Sequence, residues 1–283
     1  MKGFNNLGNT CYLNSGLQML IQNIDLCNVI NAFRGRSKIL EELAKFIDRY
    51  YDSSSDPISP DYVKKVAGKR NSIFMGFQQQ DSSEFIVFLL DFINNEINKI
   101  LPKKNLVDKL FEIETTTSTK CKVLSCLNIS KNVEKSTILM LNVNAECQNI
   151  DDCYRISKKK VKFEGDEKYY CEKCQKKRIA SQRKEITQWP KNLIVWLRRY
   201  EQNGNRLSKY SQEIAIPIEW RQGYKLKGVV LHSGNLYGGH YVYAGLNGDK
   251  WYLFDDSSVS ELNNNALARI INNGYIYYFT KIV

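Results

Sequence analysis

Eight cysteines and two histidines hold most of the chemistry available to this 283-residue chain. A cysteine serves as a nucleophile, a metal ligand or a small core residue, and its surroundings decide which. Cys11 stands in Asn6-Leu7-Gly8-Asn9-Thr10-Cys11-Tyr12-Leu13. A turn rich in Gly and Asn there delivers the thiol to the start of a helix, where free N–H groups and the positive dipole end favour a thiolate. Asn6, upstream of it, is placed to donate to a developing oxyanion together with the Cys11 N–H. A cysteine nucleophile needs a base. His240 follows Gly238-Gly239 and opens the alternating run Tyr241-Val242-Tyr243; Asp255-Asp256 closes the run Trp251-Tyr252-Leu253-Phe254. A hairpin turn at Asn247-Gly248 makes His240 and Asp255 neighbours, so that the carboxylate orients the imidazole. His232 falls in a predicted loop with no carboxylate so placed, which leaves His240 as the expected base.

Cys171-x2-Cys174 has the spacing of a metal knuckle, and Cys121-x4-Cys126 is the obvious partner pair. Four thiolates imply a closed tetrahedral zinc site, structural rather than catalytic. The lysines dense between Lys158 and Lys177 ease thiolate formation and otherwise form a solvated face. Cys27, Cys147 and Cys153 lack paired spacing and read as core or surface residues.

Helices must position the first of these groups and strands the rest. Leu13, Leu17, Leu20, Ile21 and Ile24 fall on one helical face. A second helix is predicted from Ser37 to Tyr50. Ser59-Pro60-Asp61 reads as a cap followed by proline at the first helical position. A long helix begins near Asp81, with Asp81 and Glu84 at capping-box spacing. Beyond Pro102 the texture becomes strand-like: Thr115–Thr119, Ser136–Leu141, Leu193–Leu197, Lys225–His232, Tyr241–Leu246, Lys250–Phe254 and Gly274–Lys281. Helices followed by a sheet give an α+β fold.

Hydrophobic residues make up 43% of the chain, enough for a substantial core. No apolar run approaches the ~20 residues that span a bilayer. Lys2 is followed by no apolar segment of a signal peptide. Membrane and secreted classes are excluded on this reading, a reducing compartment (cytoplasm or nucleus) is expected, and a disulfide framework is not. The net charge of +11 raises nucleic acid as a partner, but a basic exterior is equally a matter of solubility.

Gly3-Phe4-Asn5-Asn6-Leu7-Gly8-Asn9-Thr10-Cys11-Tyr12-Leu13-Asn14-Ser15 closely resembles the cysteine box of the ubiquitin-specific proteases. Gly238-Gly239-His240-Tyr241-Val242 with 251–258 is similar to their histidine box. Gln79-Gln80-Asp81-Ser82-Ser83-Glu84-Phe85, Tyr169-Tyr170-Cys171-Glu172-Lys173-Cys174 and 193–200 resemble three further motifs, all in family order. The resemblance implies a papain-like fold with a helical thumb (about 1–110), β fingers (about 111–185) and an antiparallel palm (about 186–283), as a single catalytic domain. It implies Cys11 as nucleophile, His240 as base, Asp255 as the third member, Asn6 as the oxyanion donor and Asp256 as a second supporting acid. The implied reaction is hydrolysis of the bond after the C-terminal glycine of ubiquitin. The family's first cysteine pair is usually C-x2-C, so the C-x4-C here departs from it, with Val123 in the usual first position.

The implied substrate tail is basic and ends in two glycines. Asp81 and Glu84 are the candidates to pair its arginines; Gly238, Gly239 and Tyr241 are the candidates to wall a narrow slot. Ubiquitin and ubiquitinated proteins are the expected partners of a monomeric chain, with neither membrane nor nucleic acid. The competing readings are a protease for another ubiquitin-like modifier, a basic zinc-dependent nucleic-acid-binding module with Phe163, Tyr169 and Tyr170 as its aromatics, and an inactive ubiquitin binder.

Overall fold

A computed structural model describes the chain except for residues 55, 204–205, 222, 236–237 and 283; for 201–203 and 206–208 it describes the backbone alone. The N-terminal region is helical, as the apolar periodicity predicts. Helix α1 (Cys11–Ile21) is buried at every position, the signature of a helix at the centre of a domain. It stops at Gln22 instead of running through Ile24. Asn23 caps a new helix, α2 (Ile24–Ala32), by accepting from the Leu26 N–H at 2.8 Å, and Ile24 is turned out to 63% exposure. Ser37 caps α3 (Lys38–Tyr51). Helix α4 (Asp61–Arg70) starts one residue later than predicted: Pro60 takes φ −86°, ψ 20°, outside the helix, and is itself the cap residue.

Asp81 caps the long helix α5 (Ser82–Ile100), accepting from the Ser83 N–H at 2.6 Å. The capping box predicted with Glu84 is not formed; Glu84 stays exposed and the cap is one-sided. Helix α6 (Leu106–Phe111) ends the helical region.

The middle of the chain comprises β1 (Ile113–Cys121), β2 (Ile129–Ser136), β3 (Leu139–Asn142), α7 (Ile150–Ser157), β4 (Val161–Phe163), β5 (Tyr169–Cys171), β6 (Lys176–Arg178) and β7 (Ala180–Gln188). Four of these form an antiparallel sheet in the order β2-β1-β7-β4, and β5 pairs with β6 in a short ribbon. Helix α7 is an element that the strand-like texture of this region hides, although Asn149 and Asp152 form the reciprocal capping box that Asp81 and Glu84 do not.

The last third contributes β8 (Asn192–Arg198), β9 (Tyr200–Asn203), β10 (Arg206–Lys209), β11 (Glu219–Trp220), β12 (Tyr224–Asn235), β13 (Gly238–Asn247), β14 (Lys250–Asp255), β15 (Ser258–Glu261), α8 (Asn264–Asn273) and β16 (Ile276–Lys281). The large sheet runs β15-β14-β13-β12-β16-β8-β3, with β11 paired to β12. It is antiparallel except at one edge, where β3 runs parallel to β8. Strand alternation divides its residues between two cores. Ile194, Val230, Tyr243, Ile276 and Tyr278 face the helices, while Leu193, Val195, Val229, Tyr277 and Phe279 face α7 and α8. Both faces are covered, so these strands read as continuous apolar runs. The molecule is α+β, as predicted.

Two local expectations are corrected. His232 lies within β12 and not in a loop, paired with Tyr241. The hairpin between β13 and β14 pairs Asn247 with Lys250, so its central residues are Gly248-Asp249. Gly248 has φ +60° at the first central position, which is where a tight hairpin of this hand takes glycine.

Candidate active site and cysteine cluster

Cys11 begins α1, and its N-terminus carries no side-chain cap: Thr10 supplies no cap hydrogen bond. The Thr10 hydroxyl instead accepts from the Leu7 N–H at 2.8 Å and donates to Asn6 Oδ1 at 3.3 Å. The backbone N–H groups of Tyr241, Tyr12 and Cys11 therefore address the sulfur and favour its anion. Burial outweighs them, and the Asp256 charge adds to it, so the thiol sits above its ordinary value. The N–H groups at the helix start thus act on this sulfur, as expected, but against the effect of burial.

His240 immediately precedes on β13 the Tyr241 whose N–H addresses the sulfur. His240 Nε2 meets Asp255 Oδ1 at 2.6 Å. The β13–β14 ladder brings them together: its pairing reaches Tyr243 opposite Phe254, and the two side chains lie just beyond. With Nε2 engaged, Nδ1 is the nitrogen left to exchange a proton.

Asp256 follows in the left-handed region at φ +48°, in the turn that pairs Asp255 with Ser258. Its two oxygens bind two amides, Asn6 Nδ2 at 2.7 Å and Asn14 Nδ2 at 2.7 Å. The Asn6 side chain is fixed at its other end as well, Oδ1 accepting from the N–H groups of Gly8 (2.9 Å) and Thr10 (3.2 Å). An amide nitrogen has two hydrogens, so Asn6 keeps one N–H beyond the bond to Asp256. Asn14 is a site residue that sequence reasoning missed. Its signal is its spacing, one helical turn beyond Cys11 on a mostly apolar helix.

The predicted substrate contacts divide in two. Asp81 is spent inside the protein: Oδ1 takes the Ser83 N–H and hydroxyl (2.5 Å), and Oδ2 takes the hydroxyls of Tyr275 (2.6 Å) and Tyr241 (3.3 Å). It ties α5 to the sheet. Glu84 remains exposed, its carboxyl raised by partial burial and by the Asp81 charge. Tyr241 is 8% exposed and stacks on His232 at 4.4 Å between centroids. A Cβ on Gly239 would meet His232 Nε2 at 2.3 Å, so glycine is required there by the strand packed behind it. Gln79, which sequence reasoning passed over, donates to the Gly239 carbonyl at 3.0 Å and accepts from its N–H at 2.8 Å. This amide clasp joins the segment before α5 to the glycine pair.

The four paired cysteines converge at one end of the small sheet. Cys121 ends β1 and Cys171 ends β5. Turns with positive φ at Leu127 and Gln175 follow Cys126 and Cys174. The four sulfurs lie within 4.8 Å of one another, and Cys126 Sγ is 3.7 Å from Cys171 Sγ. A tetrahedron of thiolates about 2.3 Å from a zinc ion places its sulfurs about 3.8 Å apart. The longer C-x4-C loop therefore brings Cys121 into the set, and the cluster is able to hold a metal ion. Cys27, Cys147 and Cys153 are buried apart from it.

His240, Asp255 and Asp256 are also close enough to share an ion, but the Asp256 oxygens are occupied by amides and Asp255 by the imidazole. Among the described residues no helix is long and apolar enough to cross a membrane.

The chain is similar to several known proteins. Bovine ubiquitin carboxyl-terminal hydrolase 2 is 27% identical over 99% of the chain and 55% of its own length. Ubiquitin carboxyl-terminal hydrolase 4 of Saccharomyces cerevisiae is 27% identical over 99% of the chain and 39% of its own length. The chain thus spans about half the length of these relatives or less. Among solved structures, the SAGA Ubp8/Sgf11/Sus1/Sgf73 DUB module bound to ubiquitin aldehyde matches the whole chain with a TM-score of 0.82 at 22% identity, over 70% of the matched chain. A second structure of that module, with a substituted Ubp8 and bound to monoubiquitin, matches with a TM-score of 0.80 at 23% identity, over 69% of the matched chain. A family profile described as ubiquitin carboxyl-terminal hydrolase covers residues 2–279, nearly the entire sequence, and by that match the chain belongs to the ubiquitin carboxyl-terminal hydrolase family.

Proposed function

We propose that this chain is a thiol-dependent deubiquitinase, cutting the bond between the C-terminal glycine of ubiquitin and an amine. The observation that carries the reading is the 2.6 Å contact of His240 Nε2 with Asp255, on a strand whose next N–H addresses the Cys11 sulfur. Asp255 fixes the tautomer, holding the Nε2 proton so that Nδ1 is free to accept the Cys11 proton. The sulfur attacks the glycine carbonyl carbon, a C–S bond forms, and the carbonyl π pair moves to oxygen. The remaining Asn6 N–H and the Cys11 N–H stabilise that oxyanion. Its collapse breaks the C–N bond, and His240 delivers its proton to the leaving lysine amine. Water, giving a proton to His240, then cleaves the thioester and restores the thiol.

The helical thumb (about 1–110), fingers (about 111–185) and palm (about 186–283) are the parts we assign to this task. Glu84 is the carboxylate we assign to the basic tail, since Asp81 is internally bound. Zinc is the metal we assign to Cys121, Cys126, Cys171 and Cys174, on the fit of the sulfur spacing. One chain supplies every side chain named, which favours a monomer. Its free cysteines fit a reducing compartment, the cytoplasm or nucleus.

The test is hydrolysis of a fluorogenic ubiquitin C-terminal amide by the wild type, Cys11→Ala and His240→Ala, beside the same amides of other ubiquitin-like modifiers. Turnover of the ubiquitin amide that falls to background in both variants is expected. Retained rate in either variant overturns the mechanism, and preference for another modifier overturns the substrate.

A further inference from the structure

Behind the strand that carries His240 lies an open cavity of about 340 Å³, within the range of small-ligand sites. Its charged lining is Arg199, Lys209 and Arg269, and no carboxylate lines it among the described residues. Arg199 is only 3% exposed, yet its partners are main-chain carbonyls: Gly274 (3.1 Å), Gln212 (2.7 Å), Asn272 (3.1 Å) and the more distant Tyr210. Lys209 is held the same way, by the carbonyls of Gly234 (2.8 Å) and His232 (3.3 Å). Burial and the Arg199 charge both push the Lys209 ammonium down, so the two cations sense each other.

Buried charge is ordinarily paired with an opposite charge; carbonyl dipoles solvate the buried Arg199 and the half-buried Lys209 without neutralising them. Arg269, exposed on α8, adds a third cation at the rim. Ser211 and Ser233 add hydroxyl donors, while Leu231, Ile270 and Tyr275 form an apolar side. Glu213 touches the lining residue Asn273 (3.2 Å) but does not itself line the cavity.

We propose that this cavity binds a phosphate-bearing small anion. Arg199 and Lys209 each keep one N–H beyond those carbonyls, and together with the Arg269 guanidinium and the two hydroxyls they match the several acceptor oxygens of such a group. The site lies one strand from the proposed base, since Ser233 pairs with His240 and Gly234 with Gly239.

His232 lines the cavity and is one of only two histidines, so its ring signals report occupancy directly. Pyrophosphate is titrated into the whole chain at constant ionic strength while the His232 Cε1–H resonance is followed; a His232→Asn variant gives the assignment. A saturable shift in the wild type is expected, weakened about tenfold in Arg269→Gln through loss of one charge-assisted contact. Lys209→Gln is the second variant, with its fold checked by circular dichroism, and weakens binding likewise. Adenosine diphosphate run in parallel tells a bare phosphate ligand from a nucleotide, and binding of either supports the site. Absence of a saturable shift up to about 10 mM, a concentration corresponding to negligible affinity, overturns the proposal. So does a shift of undiminished affinity in both variants, which places the anion elsewhere, for example on the lysine-rich segment 158–177. Binding is read without turnover, so the outcome is independent of the proposed hydrolysis.

Discussion

The cleft and the cysteine cluster hold together in different ways. In the cleft, almost every polar group is bound to another protein group. Asp256 binds two amides, Asn6 is fixed at both ends, Asp81 joins a helix cap to two tyrosines, and Gln79 clasps Gly239. The geometry is held by the protein's own hydrogen bonds, many linking residues from opposite ends of the chain. In the cluster, four thiols meet at two tight turns, where their partners are one another and the backbone N–H groups of Val123 and Asn128. Thiols are weak donors and acceptors, so their convergence supplies little cohesion without a cation to bind the thiolates. One site is held by its own hydrogen bonds and the other is able to take a metal ion, so damage to each should register in a different observable.

Asp255→Asn should strike the cleft hardest. It leaves the fold intact but removes the charge that orients His240, and kcat/KM should fall about a hundred- to ten-thousandfold with the melting temperature unchanged. Steady-state kinetics beside a thermal melt check both halves. A fall in melting temperature that accounts for the lost rate would erase the distinction.

Asn6→Ala should come next, at about a hundred- to thousandfold in kcat with KM little changed, as for other oxyanion donors. Because Asn6 also binds Thr10 and Gly8, Asn6→Asp is the informative companion. It preserves the turn contacts, yet sets a carboxylate against Asp256, and should be as inactive as alanine.

Cys171→Ser, or treatment with a strong chelator, should show the reverse pattern. Elemental analysis should give one zinc per wild-type chain and a deficit in the variant. Amide exchange should rise around residues 121–128 and 169–178, while Cys11 still reacts with a ubiquitin C-terminal electrophile. Loss of cleft reactivity at the same chelator concentration would mean that the two sites are not separable.

The smallest effect concerns His232. Burial, then Lys209 and, more weakly, His240 depress its pKa to about 4, against the opposing pull of Asp81. The folded state holds the ring neutral, so its contribution to stability is complete above the ordinary value of 6.5 and is lost as pH falls from there toward 4. Melting temperature across that window should decline more steeply in the wild type than in His232→Asn, the variant with nothing to protonate.

Much of the cleft is legible in the sequence because its signals are local. A turn before a helix marks Cys11, a glycine pair before an alternating strand marks His240, and a two-residue turn between apolar strands sets His240 beside Asp255. The same locality misleads at the caps. Asp81 and Glu84 have the spacing of a capping box, but Glu84 stays exposed and Asp81 is tied instead to two tyrosines of the sheet, Tyr241 and Tyr275. Ile24 has helical spacing, but Asn23 starts a new helix. No local signal gives the role of Gln79 or the cavity around Arg199, and the spacing of Asn14 says nothing of its carboxylate, since their partners lie on remote strands.

Local sequence suffices to say which groups are available and how each is presented: a thiol at a helix start, an imidazole and a carboxylate across a hairpin, and two cysteine turns. Periodicity and turn chemistry act over a few residues, and these features need nothing more. The state of those groups is a property of the assembled fold. Burial of Cys11 beneath β13 pushes its thiol up, packing of α5 against the sheet takes Asp81 out of solvent, and the long loop after β1 carries Cys126 to the other three sulfurs. Desolvation and convergence depend on what the rest of the chain places alongside, and no local spacing encodes that.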